Sequence, residues 1–522
     1  MRAESKFRAA SAVVALLALG ASSLAACSDD APSRRELTLV GHDGRWMTEP
    51  DGRVLIVHGM NMVNKRPPYL PAAFGFDDED GEFLADNGFT AVRLGVIWKG
   101  VEPRPGEYDE DYIEGLDETV EMLATHGIHT LIDFHQDALN ERFQGEGFPD
   151  WAVAEVKDPG DAQPFDSEPY QRSLDRFWSN ADGPGGVGLQ DRFAAAYRRV
   201  ADHFADDDSV LGYDIFNEPY GATAHSDCHV DLFDPKVPEG GFDCQDFDRL
   251  IGEFQQRVID EIREVDDRHL VFYEPNTLFN WAVPTELPKL TGGDLGMSFH
   301  DYCPPGTTLG YTCDQSLEKV LDNADERSAA TGDALLLTEV GNTDGVVLDT
   351  FADLADASMT SWMFWSYCGC DNPTVIGVSA HLDDFAVDLG KPPGEDNLVP
   401  EKVDAMVRPY PTLVAGTPVE YGFDRATKTF TFTYRPERVD GKGRFDEEAC
   451  TEVFVPRRHY PHGYRVEVVG GEVVSDAGAG TLALRAESSA AEVRVTVTAG
   501  SGGDTSLPRP VDGCGSASTA TP

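Results

Sequence analysis

The chain has 522 residues, 41% of them hydrophobic and 10% aromatic, enough for a large barrel and a smaller second domain with full cores. Its 92 acidic residues against 42 basic ones leave a net charge of −50. Such a surface repels polyanions, so it argues against nucleic acid and anionic lipid headgroups as partners and favours solubility.

Arg2, Lys6 and Arg8 precede an apolar run, Ala9 to Leu19, that is too short to span a bilayer. Leu24-Ala25-Ala26-Cys27 follows and resembles a bacterial lipobox, in which Cys27 is lipidated and becomes the mature N-terminus. The alternative is a plain secretory signal with an incidental cysteine. Both readings make residues 1–27 an export signal and 28–36 a polar linker. Setting Cys27 aside leaves eight cysteines, an even number suited to an oxidising compartment. Proximity in sequence suggests Cys228–Cys244 and Cys303–Cys313, with Cys450 able to reach Cys514. Cys368 and Cys370 could close only a small strained ring. No C-x-x-C pair or histidine cluster favours a zinc site, so neither metal nor cofactor is expected.

Eight short apolar runs recur at 54–62, 90–97, 128–135, 210–217, 269–275, 295–300, 334–340 and 361–367. Amphipathic helical stretches lie between them, among them 108–126, 189–204, 246–265 and 317–330. Strands apolar on both faces and alternating with helices imply a parallel sheet covered by helices. Eight such units fit a closed (β/α)8 barrel, placed at 37–408. From 409 to 500 the texture changes to short alternating β-branched segments separated by Gly, Pro or Asp, the pattern of a small antiparallel sandwich. Residues 501–522 read as a loose tail, save where Cys514 pins it.

In such a barrel the chemistry sits at the carboxyl ends of the strands. That filter selects Asn61, Lys65, Arg93, Asp133, His135, Asp137, Asn217, Glu218, His300, Tyr302, Glu339 and Trp365. The set contains no Ser–His–Asp arrangement and no phosphate loop. Glu218 closes G-Y-D-I-F-N-E-P and Glu339 closes A-L-L-L-T-E-V-G, each directly after a buried strand. Cleaving a glycosidic bond with retention needs two carboxyl groups about 5–5.5 Å apart, one to protonate the leaving oxygen and one to attack the anomeric carbon. Strands four and seven can supply both. His126 and His129 flank Gly127 without a metal or base partner nearby and read as structural.

With N-E-P after strand four and Glu339 on strand seven, the chain resembles the retaining glycosidases of glycoside hydrolase family 5. Arg93, His135 and the His300-x-Tyr302 step sit where that family has them. Within the family it is similar to the endoglycoceramidases, through D-F-H-Q-D (133–137), G-E-G-F-P-D-W-A (145–152), F-W-S-N (177–180), N-K-R-P-P-Y (64–69) and Y-P-T-L-V-A-G-T-P (410–418). The C-G-C step at 368–370 departs from the pattern. The resemblance implies Glu218 as acid/base and Glu339 as nucleophile. It implies Asn217 on the sugar 2-hydroxyl, Arg93 and Tyr302 holding Glu339 ionised, and His135, His300 and Asp137 on sugar hydroxyls. Trp365 would be the stacking floor, with Lys65 reaching the glycan further out.

The leading expectation is thus a monomeric hydrolase of the bond between oligosaccharide and ceramide in glycosphingolipids. A family 5 β-glucanase or a lipid or steryl β-glycosidase is the alternative, and a non-catalytic glycan-binding surface protein is another. A ceramide-releasing site should have a polar half and an apolar half. The apolar wall is sought in Phe143, Phe148, Trp151, Tyr220 and Phe279 to Trp281.

Overall fold

The computed structural model describes residues 34–155, 167–228, 241–303, 312–341, 345–368, 384–501, 503–511 and 514. Expectations for Cys27, for the export signal and for Cys370 fall outside these residues. Among the described residues no helix is long and apolar enough to cross a membrane.

Eight parallel strands close a barrel in chain order. They are β1 (His58–Met62), β2 (Ala91–Val96), β3 (His129–Phe134), β4 (Val210–Asp214), β5 (Leu270–Tyr273), β6 (Leu295–Asp301), β7 (Ala334–Gly341) and β8 (Trp362–Trp365). β8 returns to β1, with Phe364 opposite Met60. Every residue of these strands is buried. The lumen packs one side of each strand and the helices the other, so the strand runs are continuously apolar rather than alternating. The helix Gln245–Arg263 shows how the outer layer is held. It buries Phe247, Ile251, Phe254, Val258, Ile259 and Ile262, spaced one turn apart along a single face. Phe254 meets Phe177, Phe193 and Phe216 with ring centroids 5.1 to 5.4 Å apart.

The run 54–62 is not one strand. Val54–Leu55 pairs with Val414 and Leu413 in a different sheet, and only from His58 does the chain enter the barrel. That second sheet has seven strands. Gly41–Asp43, Trp46–Thr48 and Val54–Leu55 form one end of it; β9 (Tyr410–Val414), β12 (Cys450–Phe454), β15 (Thr481–Ala486) and β14 (Gly471–Val473) continue it. A four-stranded antiparallel sheet of β10 (Thr417–Asp424), β11 (Thr429–Arg435), β16 (Val493–Ala499) and β13 (Tyr464–Val469) completes the sandwich. The inward residues of the two sheets, Phe430, Phe432, Val453, Leu484, Val495 and Val497 among them, share one apolar core. The N-terminal strands therefore belong to the sheet of the C-terminal domain. Arg53 secures the join, with Nη2 2.8 Å from Glu49 and Nε 2.7 Å from Asp51, all nearly inaccessible.

Part of the segment expected to be a loose tail is packed. Thr505 is 1% exposed and donates to the Tyr460 carbonyl, and Ser506 N–H donates to Gly478 O at 2.8 Å. Backbone hydrogen bonds made by such a segment hold it down wherever it lies in sequence. At the other end Arg34, expected in the linker, pairs with Asp86 at 2.9 Å. Disulfides join Cys228 to Cys244, Cys303 to Cys313 and Cys450 to Cys514. The last spans 64 residues. A loop of that length corresponds to about 4 kcal/mol of restricted unfolded-state entropy. Cys450→Ser with Cys514→Ser should therefore lower the urea midpoint with kcat/KM unchanged. An unshifted midpoint would show that the tail is held by its hydrogen bonds alone.

Candidate active site

The carboxyl ends of the barrel strands converge on one buried cation. Arg93, on β2, is 0% exposed. Its guanidinium lies 3.0 Å from Asp133 on β3, 2.9 Å from Asp214 on β4 and 2.6 Å from Glu339 on β7. It also donates to the amide oxygens of Asn61 at 3.2 Å and Asn217 at 3.0 Å. Asn217 in turn donates to the Gln136 carbonyl at 3.1 Å, so its amide cannot flip without losing both contacts.

Glu339 is held from its second side by the Tyr302 hydroxyl, 2.8 Å from Oε2. Burial pushes its carboxyl above the ordinary range, while His300 and Arg93 pull it back. The sequence reading expected Arg93 and Tyr302 to keep it ionised. Both contacts are present, but desolvation of a residue only 4% exposed is the larger effect.

Glu218 sits at the start of the loop after β4 with φ +48, a left-handed conformation that costs a side-chain-bearing residue about 1–3 kcal/mol. Neighbours hold it there. Gln136 Nε2 donates to the carbonyls of Asn217 (2.9 Å) and Glu218 (3.3 Å). Thr277 Oγ1 donates to Pro219 O at 2.9 Å, and the Glu218 N–H donates to Glu274 Oε2 at 3.1 Å. The Glu218 carboxyl accepts from His300 Nδ1 at 2.9 Å and from Asn280 Nδ2 at 2.7 Å, both on Oε1. Burial, with the negative Asp137 adding to it, pushes its pKa up to about 7. One carboxyl oxygen each of Glu218 and Glu339 lie within 4.8 Å of each other, with His300 between them. That is the short spacing of a retaining pair rather than the wider gap an inverting enzyme leaves for water.

His300 is fully buried, and burial pushes its pKa down to about 4. It is thus a neutral donor: Nδ1 faces carboxylate oxygens of both Glu218 and Glu339 (3.4 Å), so that nitrogen carries the hydrogen. His135 is the opposite case. Burial disfavours its charge, yet Asp133 at 2.7 Å and Asp137 at 3.4 Å outweigh it and raise its pKa to about 9. Lys65 pairs with Asp137, lies 3.6 Å from Glu146, and places Nζ 4.6 Å from the Trp365 ring centroid. The Trp365 and His135 rings stack at 5.3 Å. His135, Asp137 and Glu146 have the donor set of a cation site, but the Lys65 ammonium is the cation they enclose.

All twelve residues singled out in sequence are thus brought to one place. Sequence reading missed Glu146, Asp214, Glu274 and Asn280. Glu274 stands at the end of the fifth apolar run and the strand-end filter could have found it. Asp214 ends its strand, but in the sequence it lies inside the apolar run 210–217. Glu146 lies on a loop and Asn280 in a 3-10 turn, where nothing in the sequence indicated which neighbours they meet.

The expected apolar wall is not built as anticipated. Phe143, Phe148 and Phe279 are at most 1% exposed, and Tyr220 and Trp281 are 9% exposed. Phe148 packs on Trp98 and Phe177, Phe143 on Tyr170, and Phe279 on Phe299. These rings fill the space beneath the loops because apolar area there is worth more inside than at the rim. Trp151 packs edge-on against Trp98 and is only partly buried.

A family model described as cellulase, glycosyl hydrolase family 5, matches residues 57–371, more than half of the chain. The chain belongs to glycosyl hydrolase family 5. A second model, the family 5 C-terminal domain, matches residues 408–498. The chain is 29% identical to endoglycoceramidase I of Rhodococcus hoagii, over 87% of each chain. It is 28% identical to an endoglycoceramidase of Cyanea nozakii, covering 83% of this chain and 87% of that one. Of solved structures, endo-glycoceramidase II from Rhodococcus sp. in a lactosyl-enzyme intermediate superposes with a TM-score of 0.68 and 25% identity, covering 87% and 99% of the two chains. This family 5 chain is therefore a retaining glycoside hydrolase with a (β/α)8 barrel and a C-terminal antiparallel sandwich.

The two glutamates predict a bell-shaped dependence of kcat/KM on pH. With Glu218 assigned as the acid, it must carry a proton, and activity should fall as the pH rises through about 7. With Glu339 assigned as the nucleophile, it must be ionised, and activity should also fall as the pH drops below its raised value. A profile flat through neutrality would contradict this assignment.

Proposed function

We propose that this enzyme hydrolyses the β-linkage between an oligosaccharide and ceramide in glycosphingolipids, with Glu339 as nucleophile and Glu218 as acid/base. One observation carries the chemistry: two carboxyl groups at retaining distance, one next to Arg93 and Tyr302, the other raised and held by neutral donors. The substrate class rests on the likeness to endoglycoceramidases across both domains.

In the first step a Glu339 oxygen bonds to the anomeric carbon as the bond to the ceramide oxygen breaks. That oxygen takes the Glu218 proton and ceramide leaves as an alcohol. In the second step Glu218, now a carboxylate, takes a proton from water. The water oxygen displaces Glu339 from the anomeric carbon, and two inversions give net retention. Asn217 is oriented by Arg93 and Gln136 to bond the 2-hydroxyl, a contact that strengthens as the oxocarbenium ion develops. His135, Asp137 and Lys65 supply a charged rim for further hydroxyls, and Trp365 a floor beneath the ring. No named residue needs a metal.

The disulfides fit folding in an oxidising compartment. We infer an exported monomer, either secreted or anchored through Cys27; an anchor would hold the cleft near incoming lipid.

Glu218→Ala should lose ceramide-linked substrates yet keep aryl glycosides with good leaving groups, and azide should restore its turnover. Glu339→Ala should abolish turnover on all of them, since no covalent intermediate can form. Identical responses of the two variants would reverse or remove the assignment. A fluorescent-ceramide ganglioside and carboxymethyl-cellulose, assayed side by side, test the substrate. Cleavage of the glucan alone would make the enzyme a β-glucanase.

A further inference from the structure

We propose that Asn280 is a positioning residue that decides which oxygen of Glu218 carries the catalytic proton. The inference rests on Glu218 being the acid/base. A carboxyl oxygen has two acceptor sites. On Glu218 Oε1 both are taken, one by Asn280 Nδ2 at 2.7 Å and one by His300 Nδ1 at 2.9 Å. A proton on Oε1 would displace one of these donors. The acidic hydrogen therefore resides on Oε2, the oxygen left to face the glycosidic bond.

Asn280 is built to hold this position. It is 2% exposed and lies in a 3-10 turn, Thr277–Trp281, that follows β5. Asn276 caps the turn by accepting from Leu278 N–H at 3.0 Å, and Asn276 Nδ2 is tied to Asp248 at 2.6 Å. Asn323 donates to the Ala282 carbonyl at the other end, at 3.2 Å. The Asn280 carbonyl also accepts from the Tyr302 N–H at 3.4 Å, so one residue links the acid/base to the strand end that carries the nucleophile's hydroxyl partner. A donor held this firmly needs no reorganisation when Glu218 becomes charged in the first step.

The other groups that act on Glu218 come from several strands: His135 and Asp137 at the end of β3, Lys65 after β1, Arg93 on β2, Glu274 after β5, His300 on β6 and Glu339 on β7. Asn280, unlike these titratable groups, carries no charge at any pH, so its removal alters proton placement without changing the charge of the site. A hydrogen bond to the carboxylate favours the ionised form. Losing it raises the Glu218 pKa and moves the basic limb to higher pH.

The test measures kcat/KM for wild type, Asn280→Ala, Asn280→Asp and Glu218→Ala. The substrates are a fluorescent-ceramide glycoside, which needs protonation, and a dinitrophenyl glycoside, which does not. Asn280→Ala should lose about 10²-fold on the ceramide substrate, the low end of what a general acid contributes, and little on the activated one. Its basic limb should move up, and that of the near-isosteric Asn280→Asp further, through like-charge repulsion. Equal losses on both substrates, or an unmoved limb in both variants, would overturn the proposal. If Glu218→Ala shows the leaving-group split and Asn280→Ala does not, this inference fails alone. If Glu218→Ala shows no split, the acid/base reading fails with it.

Discussion

The rest of the site depends on the buried guanidinium of Arg93. Three carboxylates from three strands and two side-chain amides meet on it, all of them buried. Packing three anions into a barrel end is affordable only around a cation that stays charged in the interior, which arginine does and lysine does less reliably. Its planar fork also fixes directions. One nitrogen holds Glu339, another orients Asn217, and Asp133, paired with Arg93, also pairs with His135.

Around that anchor the site separates two chemically identical side chains. Glu339 lies next to the cation and a phenol. Glu218 accepts from a neutral imidazole and an amide and feels the negative Asp137. These two environments suit the proposed division of labour, with Glu339 as nucleophile and Glu218 as acid/base. His300 contributes because burial keeps it uncharged; an imidazolium between the glutamates would hold both ionised and leave no acid. The left-handed backbone at Glu218 is tolerated because Gln136, Thr277 and Glu274 each satisfy a polar group of the turn.

The second domain is bound into the barrel by sequence-distant strands. Residues 41–55 leave the sandwich sheet and enter β1 within a few residues, and Tyr410 stacks on His58 at 3.5 Å while donating to Gly88 O. The bottom of the barrel and the sandwich therefore share a core, and the catalytic face is left to the loops above the strands.

Much of this was legible in the chain because its signals are local. Eight doubly apolar runs can be buried only as parallel strands under helices, and a charged residue ending such a run can only emerge at the functional end of a barrel. That logic reached Glu218 and Glu339, with Asn217 beside the first, while Arg93, early in its run, was supported by the family resemblance. What tertiary structure alone decided was whatever depends on neighbours remote in sequence. Val54 and Leu55 read as the start of β1, yet pair with residues 413 and 414, because a two-residue apolar segment fits either sheet. Phe143, Phe148 and Phe279 are equally apolar in a lipid-facing wall and in a core, and only packing places them inside. The same holds for protonation. Whether burial or Arg93 wins at Glu339, and which oxygen of Glu218 meets Asn280, are sums over groups from different strands and loops that exist only once the barrel has closed.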